Sequence, residues 1–134
     1  MAKKKTVKFE EVEIVEKPWG SYKVLFQSKY CVVKHLIIKE GHRISLQKHL
    51  FKYEHWFVLP NPNGQISEYS IQIGDKIYTG TYPTAPLKIE ANTIHRAEAF
   101  KHDLHIIEVS TTFTSNSVKE DDIVRYHDDY NRIK

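Results

Sequence analysis

The stretch "ISLQKHLFKYEHW", residues 44–56, places a glutamine, two histidines and a glutamate among Ile44, Leu46, Phe51 and Trp56. Strand geometry gives such a run a meaning, because side chains alternate between faces with period two. Over residues 43–49, Arg43, Ser45, Gln47 and His49 share one face, while Ile44 and Leu46 share the other. Over residues 53–59, Glu54, Trp56 and Val58 share a face. A hairpin between these strands brings Gln47, His49 and Glu54 together. Their mixed nitrogen and oxygen donors suit one divalent ion, with zinc, manganese, cobalt, nickel and iron all acceptable. His95, in "TIHRAE" (residues 93–98), is the best fourth ligand, since it lies in a strand-like segment after an Ala91-Asn92 turn. Spacing alone leaves a metal site and a hydrogen-bonded polar core both open.

Outward from this stretch the chain reads as short alternating segments rich in Val, Ile, Tyr, Phe and Thr. Strands are expected over residues 21–27, 31–39, 43–49, 53–59, 66–73, 76–78, 87–90, 94–99 and 104–111. Turn residues separate them: Lys39-Glu40-Gly41, Asn61-Pro62-Asn63-Gly64, Gly74-Asp75, Pro83-Thr84-Ala85-Pro86 and Ala91-Asn92. Many short, evenly spaced strands point to an all-β antiparallel sandwich or barrel. Residues 118–130 fit either a short helix or an extended arm.

A chain of 134 residues suits a single domain with one core. The net charge of +3 carries little message. Four of the 20 basic residues (Lys3, Lys4, Lys5 and Lys8) fall in the first eight positions, leaving 16 against 17 acidic ones. The body is near neutral and offers no basic face for nucleic acid; the lysine-rich start reads as a solvated tail. Cys31 stands alone, so no internal disulfide forms, and its apolar surroundings suggest a buried small hydrophobe. No secretory signal and no membrane-length apolar run is present, which makes a cytoplasmic protein the default.

Gly41, then Gln47-Lys48-His49, then Glu54 resembles the first metal motif of the cupin superfamily, with Gln47 in place of the more usual histidine. The segments "KPWGSY" (17–22), "VKHLIIKEGHRISLQKH" (33–49), "EHWFV" (54–58), "TIHRAE" (93–98) and "EDDIVRYHDDY" (120–130) together resemble the C-terminal cupin domain of type II mannose-6-phosphate isomerases. In that family the domain is usually fused to a mannose-1-phosphate guanylyltransferase. The resemblance spans residues 15–132, with 1–14 as a lead-in. It implies a cupin-type jelly-roll barrel and one divalent metal on Gln47, His49, Glu54 and His95. It further implies reversible conversion of mannose 6-phosphate to fructose 6-phosphate. Nucleotide-sugar synthesis is not expected, because only a short tail precedes "KPWG". Two departures bear on the substrate. The second motif reads Glu90-Ala91-Asn92-Thr93-Ile94-His95, without its usual proline and glycine, and "LPNPNGQ" (59–65) replaces a glycine after "EHWFV". Asn tolerates the left-handed turn nearly as Gly does, so the first departure need not destroy the site.

Aldose–ketose isomerisation needs a base at the C–H and a stabiliser for the developing oxyanion. Lys34 shares parity with Leu36 and Ile38 and is the first candidate base; a lysine held out of water sheds its proton more readily. His55 is the second, although it alternates away from Glu54. Arg43 and Arg125 are candidates for the substrate phosphate, which a guanidinium fork matches; Arg43 reads equally as a surface salt bridge, and for Arg125 a structural ion pair is the stronger reading. Trp56 is expected to line the barrel beside the metal, and Trp19 to cap one end. Two other functions stay open: a cupin epimerase or ketoisomerase acting on nucleotide-linked sugars, and a non-catalytic metal- or sugar-binding cupin. A homodimer through edge strands or an exchanged tail is compatible with the sequence.

Overall fold

A computed structural model describes residues 13–80, 86–114 and 116–133. The lysine-rich start and most of the 83–86 turn lie outside the described residues. The described chain is all strands and turns: β1 (Ile14–Lys17), β2 (Gly20–Gln27), β3 (Cys31–Ile38), β4 (Leu46–Lys48), β5 (Lys52–Leu59), β6 (Glu68–Ile73), β7 (Lys76–Gly80), β8 (Leu87–Ile89), β9 (His95–Lys101), β10 (Leu104–Thr112) and β11 (Val124–His127). One sheet runs β1-β2-β3-β10-β5-β8 and the other β11-β4-β9-β6-β7. Every pairing is antiparallel. None of the described residues forms a helix long and apolar enough to cross a membrane.

The register divides the interior into an apolar half and a polar half. Leu104 faces Ile38, and Ile106 faces Leu36 and Val58. With Trp56, Ile71, Tyr69, Ile89, Ala97 and Ala99 these make the core. Each fully buried large side chain there contributes about 1.5–3 kcal/mol. Two residues further along β10 the inward positions turn polar: Glu108 faces Lys34 and Trp56, and Ser110 faces Glu54. The same two-residue alternation that buries Val32, Leu36 and Ile38 therefore also buries Lys34.

Gly20 shows why "KPWG" needs its glycine. A Cβ there would lie 1.9 Å from the carbonyl oxygen of Ile37, and its φ is +154°. The close approach lets β2 join β3 directly behind Trp19, whose carbonyl accepts the Lys39 amide at 2.9 Å.

Several expectations are corrected. β1 pairs with β2 and was not legible, because its four residues show no apolar alternation. Residues 43–45 are not regular strand: Arg43 makes one isolated bridge to Glu98, and β4 begins at Leu46. Parity fails across that break, so Ile44 is buried and lines the same cavity as Gln47 and His49. Trp19 is likewise buried in the core and lines that cavity instead of merely capping an end. Cys31 points outward on β3 and is only half-buried. Within 118–130 the regular piece is β11, not a helix; it pairs with β4 and carries a bulge between Arg125 and His127.

Candidate metal centre

β4 is short, yet it organises the site. Gln47 lies opposite His95 on one side and opposite Arg125 on the other. His49 follows β4 directly, and its carbonyl accepts the Asn92 amide at 2.7 Å. Asn92 adopts φ 63°, so it does make the left-handed turn expected where related sequences carry glycine. That turn aims His95 inward, where it is completely buried. Glu54 enters from β5 and is 1% exposed.

The ligand atoms of His49, Glu54 and His95 all lie within 4.8 Å of one another. Glu54 Oε1 is 3.1 Å from His49 Nε2 and 3.4 Å from His95 Nε2. None of these three buried atoms has a hydrogen-bond partner. The far nitrogens explain why. His49 Nδ1 is 2.6 Å from the Asp122 carbonyl, and His95 Nδ1 is 2.9 Å from the Thr93 carbonyl. A carbonyl only accepts, so each Nδ1 donates and each neutral ring turns a lone pair on Nε2 toward Glu54. Two imidazole lone pairs and a carboxylate oxygen cannot face one another without a positive charge between them. A proton on one ring or a divalent ion supplies it, and the donor set, the burial and the outer hydrogen bonds fit the ion. Burial alone would push the Glu54 carboxyl up; with the shared proton on an imidazole, the histidines hold it well below the ordinary carboxylate range.

A cavity of about 190 Å³ opens over His49 and Glu54, with Gln47 in its wall. Gln47 Oε1 accepts from Ser45 Oγ at 2.7 Å. Lys34 lines the cavity as its parity suggested; it is ion-paired with Glu120 and lies 4.3 Å from the Tyr22 ring centroid. Arg125 lines it too, with its buried Nε unpartnered. A larger cleft of about 310 Å³ beside Leu50 and Phe51 contains none of the metal-site residues.

The remaining expected residues stand elsewhere. Arg43 does not reach the cavity: its guanidinium donates to both Asp129 oxygens, at 2.7 and 3.0 Å, and lies 3.9 Å from Glu98. The irregular backbone at 43–45 swings it onto the outside of the barrel. His55 faces away from Glu54 on the outer side of β5, edge-on to Tyr53, so strand alternation removes it from the cavity. Trp56 is 1% exposed and absent from the cavity wall. It packs edge-on to His95 with centroids 5.5 Å apart, and its Nε1 donates to Glu108 Oε2 at 3.1 Å. It supports the site without an open face for a sugar.

Sequence reasoning missed Glu108, Ser110, Lys52, Glu120 and Arg132. Burial and then the neighbouring Glu54 push the Glu108 carboxyl up to about 8, although Lys34 and Lys52 pull the other way. Ser110 Oγ donates to Glu54 Oε2 at 3.0 Å and is 3.4 Å from Glu108 Oε1. Inward parity on β10 could have found Glu108 and Ser110, since they alternate with Leu104 and Ile106.

Two antiparallel sheets closing over a buried His–Glu–His cluster define a cupin-type barrel. Capsular polysaccharide assembling protein CapF from Staphylococcus aureus has a similar fold, with a TM-score of 0.68 at 15% identity over 89% of this chain and 33% of that one. The chain belongs to the mannose-6-phosphate isomerase C-terminal family, which it matches over residues 3–128. It is 34% identical over 119 residues to the alginate biosynthesis protein AlgA of Pseudomonas aeruginosa, covering 88% of this chain and 23% of that protein. It is 30% identical to a mannose-1-phosphate guanylyltransferase of Salmonella muenchen, covering 83% of this chain and 22% of that protein. The chain thus spans less than a quarter of the length of these curated relatives.

Proposed function

We propose that this chain is a metal-dependent sugar-phosphate isomerase interconverting mannose 6-phosphate and fructose 6-phosphate. One observation carries the reading: a single cavity presents the His49–Glu54 edge of a metal-fit cluster together with Lys34 and Arg125, in a chain of the isomerase C-terminal family. His49, Glu54 and His95 would hold the ion, with Gln47 as a fourth donor, and the ion's contribution is Lewis-acid polarisation of the sugar oxygens. Lys34 transfers the proton. It takes the hydrogen from C2 of the open-chain aldose and returns it to C1. The C1 oxygen gains a proton as the C2 hydroxyl loses one, so the isomerisation balances without a co-reactant. Glu120 can receive the proton that the Lys34 ammonium must shed before it acts as a base. Glu108, protonated near neutral pH, donates through Ser110 toward Glu54 and keeps that carboxylate oriented. The side chains of the barrel hold off bulk water, which strengthens each of these contacts.

Purified protein supplemented with one divalent metal at a time should interconvert the two hexose phosphates. A chelator should remove the activity, and His95→Ala should lose both metal and turnover. Stoichiometric metal with no turnover would instead support a binding cupin. One feature favours a bulkier ligand: beyond Arg125 and Arg132 lies an outer hollow of about 600 Å³ that also touches Glu120 and Ile123. A nucleotide-linked hexose in the same assay separates that reading from the first.

A further inference from the structure

The charges around the cavity do not cancel. Lys34 is taken by Glu120, and Arg132 by Asp128 through contacts of 2.8 and 2.9 Å. Glu54 faces the two imidazoles. The Glu108 oxygens are met by Trp56 Nε1 at 3.1 Å and Ser110 Oγ at 3.4 Å. Lys52 remains. It is the first residue of β5, points to the same side as Glu54, lines the cavity and is 5% exposed. The fields of Lys52 and of Glu108 and Glu120 reach one another. Among the described residues, however, no carboxylate lies within 4.0 Å of the Lys52 ammonium and no hydrogen bond reaches it. An ammonium in the wall of a narrow cavity, without a close counter-charge, favours an anion that comes to it.

We infer that Lys52 is the anion contact of this cavity and pairs with a phosphate-class group on the ligand. The chemistry of the wall chooses phosphate. Arg125 Nε is a second buried donor without a partner, facing the same cavity from β11. Two unneutralised cationic groups on opposite walls match a dianion better than a neutral sugar hydroxyl. The inference rests on the sugar-phosphate reading only for the identity of the molecule that carries the phosphate. The anion contact itself rests on the burial and isolation of Lys52.

Orthophosphate is the probe. It should raise the melting temperature of the metal-free wild-type protein and bind measurably by calorimetry. Lys52→Met should bind it about ten- to hundredfold more weakly, the loss expected for one charge-assisted contact. Lys52→Arg should keep most of the affinity. Ligand-free Lys52→Met should melt no lower than wild type, because it keeps the apolar stem and breaks no ion pair; this reports that the variant is folded. Lys52→Gln repeats the test with a polar side chain should the methionine perturb packing. In metal-loaded protein, Lys52→Met should raise KM for mannose 6-phosphate by a similar factor with a much smaller change in kcat. No orthophosphate effect on wild type, or an equal effect on wild type and Lys52→Met, overturns the inference. Lys52-dependent orthophosphate binding without any hexose-phosphate turnover leaves the anion contact standing and removes the isomerase reading.

Discussion

The Nδ1 of His49 lies 2.6 Å from the carbonyl oxygen of Asp122, a residue 73 positions further along the chain. The side chain of Asp122 accepts the Leu50 amide at 2.8 Å and the Phe51 amide at 3.0 Å. One residue thus holds three consecutive positions of the loop between β4 and β5. It also sets which nitrogen of His49 is free. Ligand-orienting contacts of this kind typically govern metal affinity ten- to hundredfold. Asp122→Ala keeps that carbonyl but frees the loop that its carboxylate holds beside it, and should weaken zinc binding by up to about that factor in a competition titration against a chromophoric chelator. Asp122→Asn, which keeps one acceptor, should fall in between. Unchanged zinc affinity in both would mean that Asp122 only anchors the C-terminal segment.

Lys34 is buried against Tyr22 and Glu120 on the cavity wall. Lys34→Met preserves its length and apolar stem. Hexose-phosphate turnover should fall by at least about a hundredfold, the usual contribution of a positioned acid–base group, with metal content unchanged by elemental analysis. Wild-type turnover in this variant would transfer the proton-transfer role to Glu108.

On the outer side of the first sheet, His35 Nε2 is 3.0 Å from His105 Nδ1. Burial, then the neighbouring His105, lowers the pKa of His35, and burial lowers that of His105. Because protonation is disfavoured in the fold, the unfolded chain binds more protons below the ordinary histidine value of about 6.5. Stability should therefore be complete above that pH and fall as pH drops through the depressed folded values. Thermal unfolding of metal-free protein between pH 7.5 and 5 should show a steeper loss for wild type than for His35→Thr. Parallel curves would exclude the pair as a source of acid sensitivity.

Gly20→Ala places a methyl group 1.9 Å from the Ile37 carbonyl oxygen at a positive φ. Backbone must move, at a cost of at least about 1–3 kcal/mol. The urea midpoint should drop with little change in slope. An unchanged midpoint would show that β2 can reach β3 by another path.

The candidate metal donors were legible because strand alternation and a hairpin need only local rules. Gln47, His49 and Glu54 sit close in sequence, and Asn92 advertises the turn before His95. Lys34 followed from the same alternation along β3. The rule failed at Arg43, where residues 43–45 leave the strand and Asp129 captures the guanidinium. No local pattern announces a partner 86 residues away.

By itself the sequence determined an all-β chain, the likeness to the isomerase C-terminal domain and the short-range part of the metal set, since each depends on period-two patterning and turn chemistry within a few residues. Only the tertiary structure decided what stands around that set. Antiparallel register set Glu108 opposite Lys34, and Ser110 between Glu108 and Glu54. Pairing of β11 with β4 carried Arg125 to the cavity and Asp122 to His49. Lys52 stands in the cavity wall without a carboxylate within 4.0 Å because Glu120 pairs with Lys34 and Glu108 is met by Trp56 and Ser110. Charge balance in a closed barrel is a property of all its walls at once, and residues far apart in the chain supply those walls.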